Sequence, residues 1–127
     1  RYSSPVGCCG IVDIGVDGDA ARDDLTGRWL PGSIANLSMS GLTELAQSVF
    51  TNVTAVEPMG PGYLQLGAAK GIDKGAWSNL NVTATGQVVA NAAVVPVSSE
   101  RWPFNGIAVH NVAGGHVVID TAGFFTR

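Results

Sequence analysis

Turn-forming clusters cut this chain into short pieces: Pro31-Gly32, Pro58-Met59-Gly60-Pro61-Gly62, Thr85-Gly86-Gln87 and Val112-Ala113-Gly114-Gly115. Pro fixes φ and Gly supplies positive φ, so each cluster ends regular structure and redirects the chain. The runs between them are rich in Val, Thr and Ile, and several alternate apolar with polar residues, the period of a half-buried strand. Ile34–Ser40 reads this way, with Ile34, Leu37 and Met39 competing for the inner face. Val49–Val56, Tyr63–Leu66, Asn79–Thr83, Gly106–Asn111 and His116–Ala122 also read as strands, and Ile11–Val16 as a first short one. The turn cluster after Val56 predicts that Val49–Val56 and Tyr63–Leu66 form a hairpin. Val88–Val97 is almost wholly apolar, which predicts a central strand that Pro96 ends or brings to an edge. Gly41–Ala46 has room for one helical turn, and Gly123-Phe124-Phe125 is expected to close the domain against its core. About eight short, mostly antiparallel strands at regular spacing predict an all-β domain, a β-sandwich of jelly-roll-like form.

Composition points the same way. The chain has 127 residues, the size of one domain, and 13% of them are charged, about half the usual ~25%. Helices are normally surfaced with Glu, Lys and Arg, so low charge with 17 glycines favours strands and tight turns. Residues 1–10, rich in Ser, Pro, Gly and Cys, read as an irregular arm, and 11–127 as a single β-domain. The net charge is −3, and Arg1, Arg22, Arg28, Lys70, Lys74, Arg101 and Arg127 are scattered. Without a basic stripe to neutralise phosphates, nucleic acid is not an expected partner. No apolar run approaches the ~20 residues that span a bilayer, so membrane insertion is not expected. Arg1 in place of an initiator Met is what processing after secretion, or excision from a longer protein, leaves.

Candidate chemistry is sparse. Cys8 and Cys9 are the chain's 2 cysteines. A disulfide wants Cα atoms ~5.5–6 Å apart, whereas neighbours stand ~3.8 Å apart. Free thiols, a strained vicinal bridge and bridges to another copy stay open, the last making the pair interface candidates. His110 and His116 are the available imidazole bases, but no nucleophile elbow surrounds any Ser. His116 and Asp120 share one strand face yet stand ~13 Å apart by strand rise, so a solvated or structural role is expected. No H-E-x-x-H or C-x-x-C spacing predicts zinc. Asp13, Asp17, Asp19, Asp23 and Asp24 cluster around Gly18 as weak calcium candidates; the EF-hand pattern is missing, and a solvated loop is the plainer expectation. No other cofactor is expected. Trp29, Trp77 and Trp102 fall in loops or at strand edges, where they either plug the core or form platforms for a protein interface or a sugar ring. Asn36, Asn52 and Asn81 head N-x-S/T sequons, which suggest glycans only in a eukaryotic secretory setting and otherwise read as cross-strand Asn/Thr pairs.

Several words of the sequence occur in a telling order. Leu30-Pro31-Gly32-Ser33 leads to Met39-Ser40-Gly41, then Asn52-Val53-Thr54-Ala55-Val56-Glu57-Pro58 and Gly60-Pro61-Gly62-Tyr63-Leu64. Ser78-Asn79-Leu80-Asn81, Gly86-Gln87-Val88-Val89-Ala90-Asn91-Ala92, His116-Val117-Val118-Ile119-Asp120 and Ala122-Gly123-Phe124-Phe125 follow. Together they resemble a β-rich extracellular domain of secreted and cell-surface actinobacterial proteins, where it often stands beside catalytic domains. The resemblance runs from about Leu30 to Phe125; upstream, only Val12-Asp13 is similar to the family's opening strand. It implies an extracellular β-domain to which no catalytic activity is assigned. Many members carry a cysteine pair at positions falling near Ala69 and Ala108; alanine stands at both here, so the implied bridge is absent. The expected function is a non-catalytic structural or assembly subunit, secreted to a cell surface or particle and forming homo-oligomers or filaments. The arm would add a strand to a neighbour's sheet edge. A module binding cell-wall polysaccharide is the alternative, and a phage tail or capsid accessory domain a further one.

Overall fold

The computed structural model describes residues 2–3, 11–13, 27–39, 46–69, 72–98 and 106–126. Among the described residues every regular element is a strand: β1 (Tyr2–Ser3), β2 (Ile11–Asp13), β3 (Ser33–Met39), β4 (Ala46–Val56), β5 (Gly62–Ala68), β6 (Leu80–Val82), β7 (Val89–Pro96), β8 (Gly106–Asn111) and β9 (His116–Thr126). They form two antiparallel sheets, ordered β1-β9-β4-β7 and β2-β3-β8-β5-β6. With β2 set aside as an added edge strand, β1-β9-β4-β7 pairs as a layer with β3-β8-β5-β6. The chain changes sheet at most of its connections, and this strand order is that of a jelly roll, as the strand count and turn spacing predict.

Alternation decides which residues enter the core. Val49, Val53 and Ala55 of β4 meet Val95 of β7 on one inner face; Leu64, Leu66, Leu80, Val82, Ile107, Val109, Ala35 and Leu37 supply the other. In β3, Leu37 takes the inner face and Ile34 falls on the other. Between β4 and β9 the register slips at Phe50/Thr51, where Thr51 faces Thr121 but Phe50 faces Gly123. The slip moves β9's inner positions from odd to even numbers, which brings Phe124 into the core beside Val49. Tyr2 and Ser3, the described part of the expected arm, pair with Phe125 and Phe124 of the same chain.

Two expectations fail. β4 and β5 do not form a hairpin; β4 lies between β9 and β7, and β5 between β8 and β6. The linker between them is held to other segments: Met59 N–H donates to Ala113 O, and Pro58 O accepts from Gly86 N–H. Pro58 is itself fully buried, so the segment crosses the end of the sandwich instead of reversing. The apolar run 88–97 does not make a central strand either. β7 is an edge of its sheet, and Ala90, Ala92 and Val94 lie exposed on the surface.

The crossing strains the backbone at one residue. Glu57, just before Pro58, sits at φ 53°, a left-handed conformation that a non-glycine residue adopts at a cost. Gly115, at φ 90°, lies against it: a Cβ there would come within 2.6 Å of Glu57 O and 2.7 Å of Pro58 Cα. Gly86 also has positive φ, 74°, but open space around it. Gly86→Ala therefore costs about 1–2 kcal/mol through conformation alone. Gly115→Ala is expected to cost more, because its methyl displaces backbone; urea unfolding of both variants compares the two directly.

Candidate functional site

The two sheets have unlike outer surfaces, and the buried Gln65–His110 hydrogen-bond network lies on one of them. On the five-stranded sheet, the outward positions of β8 and β5 are Ala108 and His110 beside Gly67 and Gln65. Here they are covered by the loop 72–79, and all six residues of β8 are buried. The loop sits close because the sheet offers little bulk beneath it. A Cβ on Gly67 would stand 3.0 Å from Ile72 Cδ1 and 3.1 Å from Trp77 Cζ2.

Gln65 fastens this loop. Its side chain is fully buried; Nε2 donates to Asp73 O at 2.7 Å, and Oε1 accepts from Gly75 N–H at 3.2 Å. These two bonds fix which end of the amide is oxygen. His110 Nδ1 lies 3.1 Å from that oxygen. An amide oxygen only accepts, so Nδ1 carries the proton and the neutral ring is the Nδ1–H tautomer. The Tyr63 ring meets the imidazole edge-on at 6.0 Å. Past Leu64, where β6 ends its pairing, the same loop takes over β5's edge. Asn79 N–H donates to Leu64 O (2.9 Å), Asn79 Oδ1 accepts from Leu66 N–H (2.7 Å), and Trp77 Nε1–H donates to Leu66 O (2.9 Å). Burial, and after it the charge of Lys74, holds the His110 pKa below the ordinary 6.5.

The outer surface of the four-stranded sheet is bare by comparison. Across it run Ser48, Phe50, Asn52 and Thr54 of β4, Ala90, Ala92, Val94 and Pro96 of β7, and His116, Val118 and Asp120 of β9. Phe50 is 38% exposed, its cross-strand neighbour Val94 53% and Val118 46%. Asp120 is the one carboxylate among these positions.

The sequence-derived candidates scatter over this frame. Trp29 is half-buried against the core, bridged to Gly115 by two backbone hydrogen bonds. Trp77 is 39% exposed, but its N–H and one ring edge are engaged by β5. His116 and Asp120 share the outer face of β9, opposite Val56 and Asn52. Asp13 ends β2; Cys8, Cys9, Asp17, Asp19, Asp23, Asp24 and Trp102 lie outside the described residues. The sequon asparagines are not paired with threonine: Asn36 faces Ala108, Asn52 faces Ala92 and Asp120, and Asn81 faces Tyr63. Gln65 was the residue that sequence reading missed. Its only signal is a polar side chain between Leu64 and Leu66 in a strand. Comparison with family models, curated proteins and solved structures finds no match.

Two outcomes follow for the covered face. A lowered folded pKa means that the unfolded chain binds the His110 proton more readily. Its contribution to stability is complete above pH 6.5 and is lost as pH falls toward the lower folded value. His110→Gln is expected to flatten that part of the stability–pH profile, as read by urea unfolding at stepped pH. Gln65→Leu leaves buried partners unmet and is expected to cost about 1–3 kcal/mol, with a shift in Trp77 fluorescence as the loop lifts.

Proposed function

We propose that this chain is a non-catalytic structural subunit that assembles with copies of itself outside the cell, on a cell surface or particle. The observation carrying the proposal is the outer surface of β9-β4-β7, where Phe50, Val94 and Val118 stand exposed with Asp120 as the one carboxylate at the outward strand positions. Soluble domains usually break such a surface with mixed charge, and the adjoining exposed side chains of Phe50 and Val94 favour contact. A surface this poor in charge meets a second copy without setting like charges against each other. The extracellular setting rests on the resemblance of Leu30–Phe125 to the actinobacterial surface domain. A carbohydrate module has less support, because the Trp77 indole N–H is bonded to Leu66 O of β5 and its ring edge lies over Gly67.

Sedimentation velocity over a wide concentration range tests the proposal, with and without reductant. Concentration-dependent oligomers are expected, and Phe50→Lys or Val118→Lys should weaken self-association by roughly ten-fold, about 1.4 kcal/mol. Sensitivity to reductant brings Cys8 and Cys9 into the contacts. A monomer at every concentration overturns the proposal, and retention of that monomer on insoluble wall polysaccharide, lost in Trp77→Ala, would favour the carbohydrate module.

A further inference from the structure

Among the described residues β7 is an edge strand, and the direction of its outer main-chain row can be read from two residues. Val97 N–H donates to Gln47 O at 2.9 Å, so the odd-numbered positions at this end turn their backbone groups toward β4. Pro96 has no N–H to give, and it occupies the even position beside Val97. Alternation along the strand then points the N–H and C=O of Ala90, Ala92 and Val94 away from β4. Among the described residues no strand pairs with that side of β7. Each of these three residues is exposed.

Natural edge strands are usually blunted by charge, by Pro or by a covering segment. Here Val88–Val97 contains no charged residue, and Pro96 guards only its end. What fits a row of unpaired backbone groups is another strand. A second copy of β7 is such a strand, because an uncharged row set antiparallel to itself opposes no like charges. A two-fold axis through Ala92 sets Ala92 opposite Ala92 of a second copy and Ala90 opposite its Val94, so every group in the row finds its complement. Asn91 does not obstruct, since its side chain is turned back to donate to Asn79 O at 2.9 Å. The small side chains at the axis let the backbones approach, and no charge opposes itself across it.

We infer that two copies pair antiparallel through β7, with Ala92 on the two-fold axis, joining their four-stranded sheets into one continuous sheet. The inference rests on the self-assembly reading and adds an edge contact to the one proposed for the outer face. Such a contact is isologous and closed, and it places the Phe50–Val94 surfaces of both copies side by side on one face.

Charge complementation tests it. Ala92→Lys and Ala92→Glu, each alone, should weaken self-association by roughly ten-fold or more, because each sets like charges together at the axis. An equimolar mixture of the two should restore pairing as a mixed dimer, which also shows that both variants fold. In the wild type, amide exchange at Ala90, Ala92 and Val94 should slow as concentration rises. Oligomers that survive either Ala92 variant but are lost in Phe50→Lys overturn the edge contact while leaving self-assembly standing. Loss in both variants without restoration on mixing overturns the two-fold at Ala92, and a wild-type monomer at all concentrations overturns self-assembly itself.

Discussion

Burial of β8 on both faces is the constraint from which the rest of the molecule follows. A strand in a two-layer sandwich normally gives one face to the core and the other to water. β8 gives neither to water. Ile107 and Val109 fill the core, while Gly106, Ala108 and His110 lie under other segments. Gly106 is required for that closeness, since a Cβ there would overlap Leu37 O. A polar ring buried on such a strand must be hydrogen-bonded or it destabilises the fold. Gln65 meets the ring from the neighbouring strand, and the same amide is already holding the loop above. One side chain thus joins strand, imidazole and covering loop, and the loop's Trp77 and Asn79 complete the edge of β5.

The all-β class and the strand positions were legible because they depend on local chemistry. Period-2 alternation in Ile34–Ser40, β-branched content in Val49–Val56 and turn residues at Pro58–Gly62 or Gly114-Gly115 act over a few residues. Pairing was not legible. The turn between β4 and β5 has the composition of a hairpin, yet Pro58 and Met59 bond to Gly86 and Ala113, far away in the chain. Nothing in the nine or so residues around a turn encodes such partners. The run 88–97 misled for a related reason. Apolar composition normally signals burial on both faces, but on β7 it covers an outer surface, and only the neighbouring strands distinguish the two cases.

The candidate sites divide in the same manner. His110 stood out as one of two imidazoles, but its tautomer and its lowered pKa come from Gln65 and from burial, which are properties of the packed sheet. Reading the sequence for chemistry favoured rare residue types: cysteine, tryptophan, clustered aspartate. The features that matter most here are common ones placed unusually, a glutamine inside and valines and alanines outside.

That inversion separates the two outer surfaces by their cover. The five-stranded sheet is covered over β5 and β8 by its own chain, with the Gln65 amide and His110 Nδ1 hydrogen-bonded and even the β5 edge capped. The four-stranded sheet receives no comparable cover among the described residues, although its outward side chains are the more apolar. A fold under selection only for solubility would place charge at Ala90, Ala92 and Val94, where it costs nothing in packing because these positions are exposed. Their apolar character is therefore not a demand of the core. On the self-assembly proposal these positions serve contact, because an edge that lacks charge is one on which another strand can settle.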